Sequence, residues 1–151
     1  MQLKADALKK IESPGDGVKH VFISFAYEDL NEINLLRGQA RNENTELEFD
    51  DHSVKDAYNS ANAEYIKSKI REKIDRVSVT LVYLSANAAT SQWVNWEIEE
   101  SARRGKGVVG VYKGDVAPSV TPSAFKKGGY GMVRWSHEAL TKAVNDASRS
   151  R

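Results

Sequence analysis

The feature that most constrains the fold is a helical stripe that runs straight into a buried strand. Ile66, Ile70 and Ile74 recur every four residues, which is the spacing of one face of an α-helix. The segment 77–84 follows, in which Ser78 and Thr80 are the only polar residues and the last four residues are all apolar. Such a strand is typical of a parallel sheet that is covered by helices on both faces. The pair of segments therefore predicts an α/β domain.

The rest of the chain repeats this alternation of short strands and longer helices. Further strands are predicted at 21–25, 47–49, 107–112 and 133–135, and further helices at 29–42, 92–104 and 136–148. We expect Asp29 to cap the first of these helices, and residues 113–130 to form a long loop. Together the segments predict a flavodoxin-like, three-layer domain with a five-stranded, mostly parallel sheet in the order 2-1-3-4-5.

The 151 residues fit one domain with short extensions. Residues 1–18 are predicted to form a helical extension, because Leu3, Ala7 and Ile11 share one side and a Ser-Pro-Gly stop follows. The domain itself is predicted at 19–148, and residues 149–151 as a tail.

Composition excludes several classes of protein. The 22 Lys and Arg residues against 21 Asp and Glu give a net charge of +1, so nothing attracts the whole domain to nucleic acid or to an acidic membrane. The absence of cysteine excludes disulfides, thiolate zinc sites and a cysteine nucleophile, and it fits a reducing compartment. No apolar run approaches the ~20 residues of a membrane helix. We expect a soluble cytoplasmic protein that binds neither nucleic acid nor membrane.

The predicted strand order locates the ligand site. Ligands of open α/β sheets bind at the carboxyl ends of the strands where the order reverses, which here is between the first and third strands. The loop 25–29 should therefore face the segment 85–91 and the helix that begins after it. No glycine-rich phosphate-binding motif follows the first strand, which argues against dinucleotide-binding and P-loop functions.

At this predicted ligand site the sequence offers one carboxylate among aromatic residues. Trp93 and Glu97 are four residues apart and so lie one turn apart on the same helix face. An indole beside a carboxylate suits a flat, cationic ligand, although Trp at helical spacing is also typical of a core position. We expect Trp93 to line the crevice and Trp96 to pack on a neighbouring face. Asp50, Asp51 and His52 fit a turn better than a metal site, so no metal is expected.

Two motifs in the sequence resemble a known family. Residues 21–29, VFISFAYED, resemble the opening box of TIR domains. Residues 91–98, SQWVNWEI, followed by GKGVVGV at 105–111, resemble the TIR-like branch found in Thoeris anti-phage defence. The similarity covers roughly residues 19–148.

The resemblance implies that the domain cleaves the nicotinamide–ribose bond of NAD, which is then a substrate, with no further cofactor. Glu97 matches the catalytic glutamate of the family. The residues implied to bind substrate are Ser24, Phe25, Tyr27, Asp50, Ser85 and Trp93. The chain departs from many TIR enzymes in carrying Ala26 where they have Arg, and its segment 52–58 lacks their Gly-Pro character.

The function implied is that of an NAD nucleosidase or ADP-ribosyl cyclase that makes a cyclic, ADP-ribose-derived signal in bacterial anti-phage defence. Its implied partners are a phage-derived trigger, a downstream effector that senses the product, and other copies through TIR surfaces. Two alternatives stay open. Ala26 favours a non-catalytic TIR interaction module, and a nucleoside transferase relative would also place a Glu in this crevice but would need an added acceptor base.

Overall fold

The computed structural model describes residues 19–42, 47–50 and 60–150. Strands and helices alternate along them: β1 (Lys19–Ser24), α1 (Leu30–Asn42), β2 (Leu47–Asp50), α2 (Ala63–Asp75), β3 (Val79–Tyr83), α3 (Ala86–Ala89), α4 (Gln92–Arg103), β4 (Gly107–Tyr112), α5 (Ser123–Gly128), β5 (Met132–Arg134) and α6 (His137–Ser150). The helix predicted within residues 1–18 lies outside the described residues, as do Asp51 and His52.

The strands form one sheet in the order β2-β1-β3-β4-β5, and each pair of neighbours is parallel. This confirms the predicted α/β class and the predicted strand order. The order reverses between β1 and β3, where Ser24 is in register with Val82. On the other side of β3, Val82 is in register with Gly110 of β4.

Helices cover both faces of the sheet because successive residues of a strand point to opposite sides. Val21 and Ile23 of β1 pack with Ile33 of α1 and with residues of α6. Phe22, between them, packs on the other face with Ile70 of α2 and with the indoles of α4. The domain therefore has three layers, and each fully buried apolar side chain stabilises it by about 1.5 to 3 kcal/mol.

The helices on the second face follow the predicted patterns. In α2, the buried residues are Ala63, Ile66, Ile70 and Ile74. Helix α4 begins after Ser91, whose hydroxyl accepts a hydrogen bond from the backbone N–H of Val94. It ends before Gly105, which adopts a left-handed φ of 77° and so turns the chain back towards β4.

Three local predictions need correction. Helix α1 begins at Leu30 rather than at Asp29, because Asp29 closes a short 3-10 turn. The segment 113–130 is not all loop: it contains α5, which forms because Phe125 is buried against α4 and β4. Helix α6 runs to Ser150, so residues 149 and 150 are helical.

Helix α6 approaches the sheet closely at Gly107. A Cβ at this position would lie 2.7 Å from the backbone oxygen of Ala147 in α6. We expect Gly107→Ala to lower the free energy of unfolding by about 1 to 3 kcal/mol, because a helix backbone has to move away from the strand. The control is Gly38→Ala in α1, where a Cβ meets nothing within 4 Å. It should stabilise by about 0.5 to 1 kcal/mol. Urea denaturation of both variants measures this, and equal effects would contradict it.

Candidate functional site

Two loops meet at the carboxyl ends of β1 and β3. The carboxylate of Asp29, in the loop after β1, accepts hydrogen bonds from Ser85 Oγ at 2.5 Å and from Asn87 Nδ2 at 2.9 Å. Ser85 follows β3, and its Oγ also accepts the backbone N–H of Ala88 at the start of α3. The prediction that these two segments face each other is therefore confirmed.

Asp29 has a different role from the one predicted. Its side chain is buried and joins two loops, whereas it was expected to cap α1. The signal that points to this role is the pair Ser85 and Asn87 at the matching strand end, since a buried carboxylate requires donors. Asp29 therefore fixes the position of Ser85, one of the residues predicted to bind substrate.

Glu97 lies on the face of α4 that packs against β1. Ser24 Oγ donates a hydrogen bond of 2.6 Å to Glu97 Oε1, and both residues are 0% exposed. A buried carboxylate is costly unless it accepts hydrogen bonds, and the Ser24 hydroxyl provides one. Ser24 is thus placed to hold the carboxylate, although it was expected to contact substrate.

A second pair of hydroxyls holds α4 beside Glu97. Ser101 Oγ donates to the backbone oxygen of Glu97 at 2.8 Å, and Thr80 Oγ1 of β3 lies 2.7 Å from Ser101 Oγ. Both residues are fully buried. The helix is therefore attached to two neighbouring strands around its one predicted catalytic group.

The two indoles of α4 share one apolar cluster. Trp93 is 9% and Trp96 8% exposed, and their rings meet edge to face with centroids 6.0 Å apart. Both pack with Phe22 and the isoleucines of α2, and Arg71 lies 5.4 Å from the centre of the Trp96 ring. Trp93, which was expected to line the crevice, therefore packs in the same cluster as Trp96, which was expected on a neighbouring face. The two residues are three positions apart, and at about 100° per residue this leaves them about 60° apart around the helix, so both side chains lie on one wide stripe.

The other predicted substrate residues are dispersed. Phe25 is buried on the opposite face of the sheet, with the residues that pack against α1 and α6. Tyr27 is 58% exposed at the loop after β1. Asp50 ends β2 in register with Phe22, and its side chain lies outside the described residues. The structure thus brings together Ser24 with Glu97 and Ser85 with Asp29, while substrate binding by all these residues stays a prediction.

Another group of polar side chains lies at the end of β3, on the face of the sheet that α1 covers. Tyr83 OH donates to Glu32 Oε1 at 2.5 Å, and Lys113 Nζ lies 3.7 Å from Glu32 Oε2. Burial of the hydroxyl, together with its hydrogen bond to Glu32 and the charge of Glu32, raises the pKa of Tyr83 above its usual value. The phenol therefore stays protonated and links β3 to α1.

Three arginines surround a second buried carboxylate of α4, that of Glu100. Arg71 Nε lies 3.4 Å, Arg103 Nη1 2.5 Å and Arg104 Nε 3.0 Å from its oxygens. Arg104 also binds Asp75 at 2.7 Å, and hydrogen bonds to Asp75 and then to Glu100 raise the pKa of the guanidinium. The Glu100 cluster ties α4 to α2 and has a structural role.

The described ranges contain neither a cluster of metal ligands nor a membrane-spanning helix. No three His, Asp or Glu side chains among the described residues are grouped so that they could hold a metal ion. None of the helices in that part of the chain is long and apolar enough to cross a membrane.

Comparison with known proteins gives one family. The family model described as the Thoeris protein ThsB, TIR-like domain, matches residues 22–117. No curated protein matches the chain. Residues 22–117 contain Ser24, Asp29, Ser85 and Glu97, so the match includes both pairs of the candidate site.

Three solved structures are similar to this chain, and one of them has a TM-score above 0.5. The TIR domain of the Toll-related receptor TRR-2 from Hydra magnipapillata has a TM-score of 0.51 at 14% identity, over 83% of this chain and 91% of that one. The TIR domains of the activated Roq1 resistosome give 0.46 at 18% identity, over 88% and 85%. A 3-dehydroquinate dehydratase-like protein from Bifidobacterium longum gives 0.46 at 10% identity, over 86% and 95%. The first of these indicates a shared fold.

The indole pair gives a stability prediction. Trp93→Ala and Trp96→Ala should each lower the free energy of unfolding by about 3 to 5 kcal/mol, because each leaves a cavity in the same cluster. Tyr65→Ala, at an exposed aromatic of α2, should change it by less than about 0.5 kcal/mol and is the control. Chemical denaturation measures all three. A Trp93→Ala protein of unchanged stability would show that the indole does not act as a core residue.

Tyr83 gives a pH prediction. Because its pKa is raised by folding, its contribution to stability is complete below the unfolded pKa of about 10 and is lost as the pH rises above that value. Tyr83→Phe should cost about 1 kcal/mol at neutral pH, and the difference from wild type should shrink above pH ~10. Thermal denaturation at pH 7 to 11 measures it, with Tyr27→Phe as an exposed control. A constant difference over that range would contradict the assignment.

Proposed function

The chain belongs to the Thoeris ThsB family of TIR-like domains, and from this membership we propose that it cleaves NAD between nicotinamide and ribose. TIR domains in general can cleave NAD. The observation that carries the proposal is the position of Glu97, a single carboxylate held against the last residue of β1 beside the point where the strand order reverses. This is where open α/β sheets bind their ligands.

The reaction needs only one carboxylate, and that of Asp29 is already bound to Ser85 and Asn87. Nicotinamide leaves a cationic ring as a neutral molecule, so it needs no general acid, unlike the leaving group of an ordinary glycoside. The electron pair of the bond between ribose and nicotinamide passes to the ring nitrogen, and positive charge develops on the ribose. The Glu97 carboxylate stabilises that charge, an effect typically worth about 3 to 4 kcal/mol.

The second step decides the product. If water attacks the ribose carbon and loses a proton, the product is ADP-ribose. If a nitrogen of the substrate's own adenine attacks in a site that excludes water, the product is cyclic. We propose the cyclic product, made in the bacterial cytoplasm as an anti-phage signal that a downstream effector senses.

Ser24 and Asp29 prepare the site in different ways. The Ser24 hydroxyl fixes one oxygen of Glu97 and thereby its side-chain conformation. Asp29 fixes Ser85 at the end of β3. Tyr27 is the exposed aromatic residue on the loop between them and could stack on a base of NAD. Asp50, Phe25 and Trp93 remain proposed substrate residues on the family resemblance alone.

The burial of Glu97 implies that the site opens before it reacts. A carboxylate that is 0% exposed can contact NAD only after neighbouring groups move. TIR domains commonly self-associate. We propose that a phage-derived trigger and contact between copies of the domain supply this movement. The reaction needs no cofactor other than NAD itself as substrate.

A second candidate function is a TIR interaction module without catalysis. The complete burial of Glu97 favours it, because an inaccessible carboxylate serves packing as well as chemistry. Ala26, at the position where many TIR enzymes carry Arg, favours it too. Incubation of the protein with NAD and a phage-infected lysate separates the two functions, since only the enzyme releases nicotinamide.

Glu97→Gln tests the catalytic group. Gln keeps the length of the side chain and an oxygen that can accept from Ser24, and it removes the charge. Release of nicotinamide in the activated preparation should fall by roughly 10²- to 10³-fold, while the melting temperature stays near that of the wild type. Chromatography of nicotinamide after fixed times measures the rate.

The matched control for this variant is Glu99→Gln, at an exposed glutamate two residues further along α4. It should keep the wild-type rate. Turnover that survives in Glu97→Gln would show that another group performs the reaction. No release by the wild-type protein, with or without lysate, would favour the interaction module.

A further inference from the structure

A chain of buried hydroxyls runs from β3 to the backbone of Glu97. Ser101 has one hydroxyl proton, and it donates this proton to the carbonyl oxygen of Glu97, which can only accept. The proton in the 2.7 Å contact between Thr80 and Ser101 must therefore come from Thr80. The hydrogen bonds thus have one direction, from Thr80 to Ser101 to Glu97.

The strand that supplies Thr80 differs from the one that supplies Ser24. Thr80 is in register with Phe22, two residues before Ser24 on the neighbouring strand. Glu97 is consequently held at two points: its carboxylate is bound to β1, and its backbone is bound through Ser101 to β3. Two attachments on different strands fix both the rotation of α4 and its position along its own axis.

Stability alone does not require these hydroxyls. A Ser inside a helix often bonds to the carbonyl four residues before it, with no partner on the sheet. An apolar pair of the same shape at positions 80 and 101 would be nearly neutral for folding, because no buried donor would be left unsatisfied. The hydroxyls therefore contribute geometry more than stability.

We propose that Thr80 and Ser101 are positioning residues for Glu97. They fix the position of α4 on the sheet, so that the Glu97 carboxylate contacts Ser24. They thereby also fix the orientation of the Glu97 side chain towards substrate. The effect on turnover rests on the proposed function, whereas the effect on the carboxylate's position does not. A displacement of about 1 Å at a reacting group can cost on the order of 10²-fold in rate.

Thr80→Val is the variant that tests this, since Val has the shape of Thr and lacks the hydroxyl. In the activated preparation kcat should fall by roughly 10-fold or more, with KM within about twofold of the wild type. Thr80→Ser retains the hydroxyl and should restore kcat. If Thr80→Val does not fold, Ser101→Ala takes its place with the same expected result.

A second measurement reads the carboxylate itself. In protein labelled with ¹³C at the glutamate carboxyl carbon, the NMR signal of Glu97 is the one that Glu97→Gln removes. Thr80→Val should shift this signal, and Thr80→Ser should leave it in place. The control is Ser91→Ala, which removes the N-cap of the same helix and should lower Tm by about 2 to 4 °C without moving the signal.

The outcomes separate the two proposals. An unmoved Glu97 signal in Thr80→Val, or an equal shift in Ser91→Ala, overturns the positioning role. If the wild-type protein releases no nicotinamide, the proposed function fails, and the carboxylate signal alone then decides whether Thr80 and Ser101 position Glu97. A shifted signal with unchanged kcat in Thr80→Val would also overturn the role in catalysis.

Discussion

The arrangement at the carboxyl edge of the sheet depends on one contact, the hydrogen bond from Ser24 to the buried carboxylate of Glu97. A charged group in this environment is costly to keep, and an apolar residue at either position would pack at lower cost. An apolar pair of the same shape at Thr80 and Ser101 would be nearly neutral for folding, yet hydroxyls occupy both positions. Buried polar residues that stability does not require are typical of a functional site. Helix α4 therefore combines core packing with buried polar contacts to two strands.

Much of the fold could be predicted because burial produces periodic patterns over short stretches of sequence. The stripe of Ile66, Ile70 and Ile74 and the apolar strand after it appear in the structure as α2 and β3. Helix α5 could not be predicted in this way, since its 6 residues make fewer than two turns and give no readable period. The role of Asp29 was missed for a different reason. Its donors lie 56 and 58 residues away in sequence, and a cap is the ordinary role of an Asp before a helix.

The position of the candidate site on the sheet could be predicted from the sequence, but the contacts within it could not. The topology of the sheet and the pattern of α4 place Glu97 beside the strand reversal, as the hydrogen bond with Ser24 confirms. Which residue meets the carboxylate depends on how α4 is rotated on the sheet, and helical periodicity fixes that rotation only to within a broad stripe. The same breadth explains why Trp93 and Trp96 share a cluster. A contact between residues 73 positions apart, such as Ser24 and Glu97, produces no pattern in the sequence around either residue.

Substitutions in the Glu100 cluster should differ in their effect on stability. Three guanidinium groups converge on one carboxylate, so the loss of any single arginine leaves two cations to compensate the buried charge. Loss of the carboxylate instead leaves three like charges close together, of which Arg104 keeps its ion pair with Asp75. Repulsion among the three guanidinium groups then opposes folding, and because they share one partner their contributions are not additive. The protein should therefore tolerate the loss of one arginine better than the loss of Glu100, which lies one helical turn from Glu97.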